Sequence, residues 1–284
     1  MKIARTVSEV RAAVAGARAS GKTVGFVPTM GAFHAGHLSL MRRAGEACGF
    51  VVVSLFVNPT QFNEQSDLAA YPRHEALDAK MAAAEGVDVL FAPEVREIYP
   101  EGDATTVEVR GLTDVLEGAS RGAGHFRGVT TVVCKLFNIV QPDVAFFGQK
   151  DAQQALVVQR MARDLHVPAR IEVCPTVREA DGLAMSSRNV RLGADDRVRA
   201  LALRAGLAAA EACVEAGERD PAAVERAGAA AMRARGVDPE YLAVVSAESL
   251  GPIQPLAGRV LVAVAARVGP VRLIDNVILD VSNS

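Results

Sequence analysis

Two histidines three residues apart, His34 and His37, close the run Pro28-Thr29-Met30-Gly31-Ala32-Phe33-His34-Ala35-Gly36-His37. A short apolar segment (24–27) precedes the run, and an amphipathic pattern through Leu38, Leu40, Met41, Ala44 and Cys48 follows it. That order reads as strand, glycine-bearing turn and helix start. Such a junction suits an anion, because glycine lets backbone approach a ligand and the first helical turn offers unpaired N–H groups at a positive dipole end. Imidazoles at i and i+3 share a helix face and can donate to phosphate oxygens where charge builds up. A lone histidine is usually structural or exposed, which is the reading for His74 and His166. Zinc is disfavoured at the pair, since no third Cys, His or carboxylate ligand lies nearby in sequence.

Two further groups repeat the anion logic. Gly148-Gln149-Lys150-Asp151, with Gln154 after it, puts a cation where a buried strand hands over to a helix, with Asp151 as the expected N-cap. Met185-Ser186-Ser187-Arg188 follows Val177 through a Gly-bearing connection and supplies two hydroxyls and a fork-shaped cation. Taken alone, the first could be a solvated lysine and the second a polar linker. The polar loop Asn58-Pro59-Thr60-Gln61-Phe62 ends another buried strand, the end at which open α/β sheets bind ligands. There is neither a Walker-type loop nor a G-x-G-x-x-G fingerprint, which argues against P-loop and dinucleotide sites.

The elements that position these groups alternate. A capping box, Thr6-Val7-Ser8-Glu9, opens a helix that Gly21 closes. Strands are expected at 23–27, 50–57, 87–91, 143–147 and 170–174, and helices at 35–48, 74–85, 129–140 and from Asp151 through Leu165. Loops and short elements are expected between 92 and 128. The apolar, β-branched run 50–57 implies a strand buried on both faces, hence a parallel sheet. The fold class is therefore α/β, a Rossmann-like doubly wound parallel sheet. Beyond Gly193 the composition turns Ala-, Arg- and Glu-rich, reading as two helices divided near Pro221, then strands at 241–246, 260–267 and 271–279. The expected division is 1–176, a catalytic domain, and 177–284, a smaller C-terminal α+β lid domain with helices on an antiparallel sheet.

The chain has 284 residues, 31 Lys and Arg against 33 Asp and Glu, and a formal net charge of −2. That balance gives no overall pull toward nucleic acid or an anionic membrane. No apolar run approaches a membrane span and the N-terminus lacks a signal core, so a cytoplasmic location is expected. Cys48, Cys134, Cys174 and Cys213 stand singly in apolar segments without metal-type spacing, as buried free thiols would.

The strand, turn, H-x-x-H run and later Met-Ser-Ser-Arg loop resemble the nucleotidylyltransferase superfamily, with its HIGH and KMSKS motifs. Within it the chain is similar to the pantothenate synthetase (pantoate–β-alanine ligase) family. The resemblance rests on 28–37, Phe56-Val57-Asn58-Pro59-Thr60-Gln61-Phe62, Tyr71-Pro72-Arg73, Phe147-Gly148-Gln149-Lys150-Asp151 and 178–189. Phe33 stands where the family pattern has Leu, and Gln149 where Glu is common. The last hundred residues match mainly in length and pattern.

The resemblance implies an AMP-forming carbon–nitrogen ligase. It condenses (R)-pantoate with β-alanine, consumes ATP with Mg²⁺, and passes through pantoyl adenylate. It also implies roles. His37, His34, Lys150 and Arg188 would be catalytic. Met30, Gly31, Ala32, Phe33, His34, Ala35, Gly36, His37, Gly148, Gln149, Lys150, Asp151, Val177, Met185, Ser186, Ser187 and Arg188 would bind ATP. Gln61 and Gln154 would bind pantoate, with Gln61 also facing β-alanine. A homodimer is implied too, while the Mg²⁺ ligands are left open. Three alternatives stand beside this reading. An adenylyltransferase for a phosphorylated acceptor would favour Arg or Lys where the two glutamines stand. A tRNA-charging enzyme lacks a visible RNA-binding segment. A catalytically silent nucleotide-binding protein would have little use for the full polar set.

Overall fold

A computed structural model describes residues 1–63 and 65–282. The chain folds as two compact units, Met1–Gly148 with Gln154–Pro175, and Gln149–Gln153 with Thr176–Ser284.

The first unit is a six-stranded parallel sheet flanked by helices. Its elements run β1 (Lys2–Ala4), α1 (Val7–Ala19), β2 (Val24–Thr29), α2 (Ala35–Ala47), β3 (Phe50–Leu55), α3 (Gln65–Ala69), α4 (Glu75–Ala84) and β4 (Val89–Phe91). They continue through α5 (Val95–Ile98), α6 (Glu117–Arg121), α7 (Ala123–Val140), β5 (Val144–Gly148), α8 (Ala152–Asp164) and β6 (Arg170–Cys174). The strand order is β1-β4-β3-β2-β5-β6, with every pairing parallel. The chain winds outward from β2 through β3 and β4, then returns to lay β5 on the other side of β2. That reversal makes the β2/β5 strand ends the topological switch point, where α/β sheets open a crevice.

Local signals account for these elements. Thr6 caps α1 and Glu9 reaches back to complete the capping box, while Gly21, in the left-handed region at φ 72°, follows its end. β3 is apolar and buried through its centre because β2 and β4 cover its edges and helices its faces. The short β1, pairing Lys2–Ala4 with Val89–Phe91, carries too few residues to show a period.

The second unit carries α9 (Ala194–Arg199), α10 (Leu201–Glu215), α11 (Pro221–Arg233) and an antiparallel sheet β7 (Tyr241–Ser246), β8 (Gly258–Val268) and β9 (Val271–Val281), in that order. Pro221 sits in the first turn of α11, and the Asp220 side chain caps it. Three helices occupy the stretch read as two. α10 packs on β8 and β9, and α11 on β7. α10 and α11 approach so closely that a Cβ on Gly228 would stand 2.9 Å from the Gly206 carbonyl oxygen.

Cys48 and Cys174 are buried, Cys134 and Cys213 half-buried, and all four are free thiols. Burial pushes the Cys48, Cys134 and Cys174 thiols above their ordinary range, so they stay protonated. No helix among the described residues is long and apolar enough to cross a membrane.

Candidate active site

The histidine turn is built at the C-terminal end of β2. Gly31 and Ala32 both adopt left-handed backbone, φ 84° and 53°, which reverses the chain into α2. The Thr29 hydroxyl donates to the Ser54 carbonyl at 2.6 Å and accepts the Gly31 N–H at 3.2 Å, tying the turn to β3. Asp78, 1% exposed on α4, accepts the N–H groups of Ala32 and Phe33, both at 2.8 Å. An aspartate inside the expected helix 74–85 carries no sign of that role in the sequence.

His34 is the N-cap of α2, and its Nδ1 accepts the Gly36 N–H at 3.1 Å. His37 Nδ1 accepts the His34 N–H at 3.3 Å, so the pair forms a capping box with imidazoles in place of the usual hydroxyl and carboxylate. The ring centroids lie 4.2 Å apart, and Phe33, buried, packs its ring 5.5 Å from that of His37. A nitrogen that accepts a hydrogen bond carries no proton. In a neutral ring held this way the proton sits on Nε2.

Gln61 follows β3 in a single 3-10 turn, Pro59–Gln61. Its orientation is set by Asn58, which is 1% exposed. Asn58 Oδ1 accepts from the Thr60 N–H, the Thr60 hydroxyl and the Tyr99 hydroxyl. Its Nδ2 donates to Gln61 Oε1 and to the Gly128 carbonyl, both at 3.1 Å. With Oε1 engaged, the Gln61 NH₂ group donates to the Met30 sulfur at 2.8 Å. Burial raises the Tyr99 phenol above its ordinary range and keeps it a donor to Asn58. The Gln61 carbonyl lies 2.8 Å from His125 Nδ1. Gly128 on α7 leaves space for the turn, since a Cβ there would stand 2.4 Å from the Thr60 carbonyl oxygen. Gln61 is thus bonded to Met30, at the start of the turn that ends in the His34–His37 pair. Gln154 is half-buried near the start of α8. His74 and His166 are exposed.

In the second unit, Gln149–Asp151 form a 3-10 turn rather than an N-cap followed directly by helix. Lys150 Nζ is 3.7 Å from Asp151 Oδ1. The Val177–Met185 stretch is a small hairpin. Arg178 bridges Ala184, Met185 N–H reaches the Val177 carbonyl, and Gly182 turns the chain at φ 94°. Asn189 Nδ2 donates to Glu179 at 2.8 Å and to the Ala184 carbonyl at 3.1 Å, locking the hairpin to the residues after it. Arg197 donates to both Glu179 and Asp181, and holds both carboxyls below the usual range. Ser186 Oγ accepts the Arg188 N–H at 3.2 Å, a turn that shapes the Ser186–Arg188 tip.

Comparison with known proteins places this arrangement. The family model for pantoate-beta-alanine ligase matches residues 2–278. Pantothenate synthetase from Moorella thermoacetica is 54% identical over 284 residues, all of this chain and all of that protein. A crystal structure of pantothenate synthetase from Thermus thermophilus superposes with a TM-score of 0.92 at 47% identity, covering all of both chains. The pantoate-beta-alanine ligase of Francisella tularensis, complexed with beta-gamma ATP and beta-alanine, gives a TM-score of 0.77 at 34% identity over 98% of this chain and 97% of that one. The match runs through both units and through every loop described above, and the chain belongs to the pantoate–β-alanine ligase family, the pantothenate synthetases.

Proposed function

We propose that this ligase makes pantothenate in two half-reactions. First, a pantoate carboxylate oxygen attacks the α-phosphorus of ATP, the bond from that phosphorus to the bridging β-phosphate oxygen breaks, and pyrophosphate leaves pantoyl adenylate behind. Then the amine nitrogen of β-alanine attacks the acyl carbon, the bond to the AMP oxygen breaks, and the amine gives up a proton to solvent. In-line transfer at phosphorus asks the protein for positioning and charge stabilisation more than for a nucleophile.

The observation that carries this reading is the pair of backbone N–H bonds that the Nδ1 atoms of His34 and His37 accept. They set both rings at the start of α2 with the ring proton on Nε2, the group that would donate to oxygens gaining charge as pyrophosphate departs. His37 takes the donor role. Lys150, Ser186, Ser187 and Arg188 neutralise the leaving pyrophosphate. Gln61 and Gln154 bind pantoate, with Gln61 also facing β-alanine. The Gln61 amide, with one N–H on the Met30 sulfur, has a second N–H that suits a carboxylate or hydroxyl oxygen, and an uncharged amide suits an acid without a phosphate. Met30–His37, Gly148–Asp151, Val177 and Met185 line the nucleotide.

Among the described residues, no three His, Cys, Asp or Glu side chains gather as a cation cage. Asp78, the buried carboxylate against the turn, is spent on two N–H groups. Mg²⁺ is implied by the family resemblance, no carboxylate of this chain is assigned to it, and bound with ATP it would supply charge neutralisation at the phosphates beside Lys150 and Arg188. A homodimer, carried over from the family resemblance, and a cytoplasmic location, expected from the sequence, complete the proposal.

The test is pyrophosphate exchange. Labelled pyrophosphate should enter ATP in the presence of pantoate and without β-alanine, and added β-alanine should yield AMP and the amide. Exchange that ignores pantoate, or that needs a phosphorylated acceptor, overturns the assignment.

A further inference from the structure

Two neighbouring residues of β9, Asp275 and Asn276, each 3% exposed, reach both loops of the second unit that carry cationic candidates. Asn276 Nδ2 donates to the main-chain carbonyls of Gln149 and Lys150, both at 2.9 Å, and its Oδ1 lies 3.5 Å from Gln149 Nε2. Both protons of one amide are thereby spent on consecutive carbonyls, which fixes the peptide planes on either side of the Lys150 α-carbon and so the direction its side chain leaves the backbone. Asp275 takes the Arg178 guanidinium as a fork, Nη1 to Oδ2 at 2.6 Å and Nη2 to Oδ1 at 3.0 Å, and Oδ1 also accepts the Asn276 N–H at 2.8 Å. Arg178 Nη1 spends a further bond on the Gly182 carbonyl at 3.1 Å, at the turn of the hairpin that runs into Met185–Arg188.

We infer that Asp275 and Asn276 are a positioning pair for adenylation, setting Lys150 and the Ser186–Arg188 tip in register with each other through one rigid strand. The inference rests on the roles proposed above for Lys150, Ser186, Ser187 and Arg188. A buried ion pair is weak evidence of a purely stabilising role, because desolvation cancels much of its Coulombic gain. What this pair supplies is geometry. A cation displaced by about an ångström loses transition-state stabilisation while still attracting ATP, so its loss falls on kcat rather than on KM.

The experiment is a double-mutant cycle read in pyrophosphate exchange. Asn276→Ala and Asp275→Asn should each lower kcat for exchange about tenfold or more with KM for ATP within about threefold, while aminolysis of supplied pantoyl adenylate by β-alanine stays within about twofold. Because Asn276 acts through Lys150, Asn276→Ala should cost little further in a Lys150→Ala background, whereas independent structural damage would multiply. Should Asn276→Ala not fold, Asn276→Ser, which keeps one donor, replaces it in the same cycle. Multiplying losses, or parental exchange in the variants of the pair, overturn the inference alone. Parental exchange in Lys150→Ala overturns the reading beneath it, and the pair with it.

Discussion

His34 and His37 are oriented by bonds to backbone two and three residues away, whereas Lys150 and the hairpin ahead of Met185 are oriented by partners 97 to 127 residues away. In the first unit the chemistry is written into a helix start, and the fold needs only to deliver the end of β2. In the second, local turns shape the backbone at Gln149–Asp151 and at Ser186–Arg188, and a distant strand fixes where those turns stand. A local device survives modest distortion of its surroundings. A remote one transmits it.

Four substitutions or conditions sharpen or break that contrast. The largest effect is expected at the local device. His37→Ala should slow single-turnover adenylation by about 10²-fold or more, the scale for losing a transition-state donor. Its melting temperature should barely change, because one capping bond is worth only about 1 kcal/mol. Near-normal adenylation with ATP bound would remove His37 from the mechanism.

Beside the Thr29–Ser54 tie, the histidine turn has a remote support in Asp78. Asp78→Ala leaves the Ala32 and Phe33 N–H groups unpaired, which should destabilise the fold by about 1–3 kcal/mol per group in urea titration. Adenylation should fall roughly tenfold, as a misplacement of the turn worth about 1.4 kcal/mol would give. A stability loss with unchanged adenylation would show that the capping box aims the histidines unaided.

Gly128→Ala drives a methyl group into the Thr60 carbonyl and so displaces Gln61. KM for pantoate should rise several-fold, with exchange at saturating pantoate within about twofold, the signature of lost uniform binding. An unchanged KM would separate Gln61 from pantoate.

The smallest effect concerns the hairpin brace. Arg197 holds the Glu179 and Asp181 carboxyls below their unfolded values of 4.5 and 3.8. Their contribution to stability is complete above about pH 4.5 and is lost as pH falls through the lowered native values. Arg197→Gln should therefore lower stability slightly at neutral pH, as partly exposed pairs contribute little, and the gap to the parent should close as pH falls through the lowered native values, which gives the variant a shallower acid limb. An identical acid limb in both proteins would rule the brace out.

The same contrast governs what is legible in the sequence. The strand-turn-helix of His34 and His37, the capping box of α1, the buried β3 and the Pro221 start of α11 all rest on spacings of a few residues, and the sequence shows them. α7 begins at Ala123, six residues before its apolar stripe, because Gly124, His125, Arg127 and Gly128 interrupt the period. The reason is tertiary. Gly128 must be small to meet Thr60, and His125 faces the Gln61 carbonyl. Asp78, Asn58, Asp275 and Asn276 are legible only as polar residues, of the sort normally found on solvated faces. Nothing short of the folded contacts distinguishes a buried carboxylate serving two N–H groups from an exposed one. The 3-10 turn at Gln149–Asp151 is likewise hidden, since a strand followed by Asp reads as an N-cap.

The close approach of α10 and α11 bears on how this chain can drift. At Gly228 a methyl group would meet the Gly206 carbonyl at 2.9 Å, and at Gly206 it would meet the Gly228 carbonyl at 3.1 Å and the Met232 side chain at 2.6 Å. The facing backbones leave no room to yield, so each glycine closes the single-step route to the other's replacement. In a saturation library both positions should tolerate almost nothing, while the outward Arg and Glu positions of the same helices accept most residues. This helix pair, which holds none of the residues assigned to the chemistry, would then carry two of the least replaceable positions in the molecule.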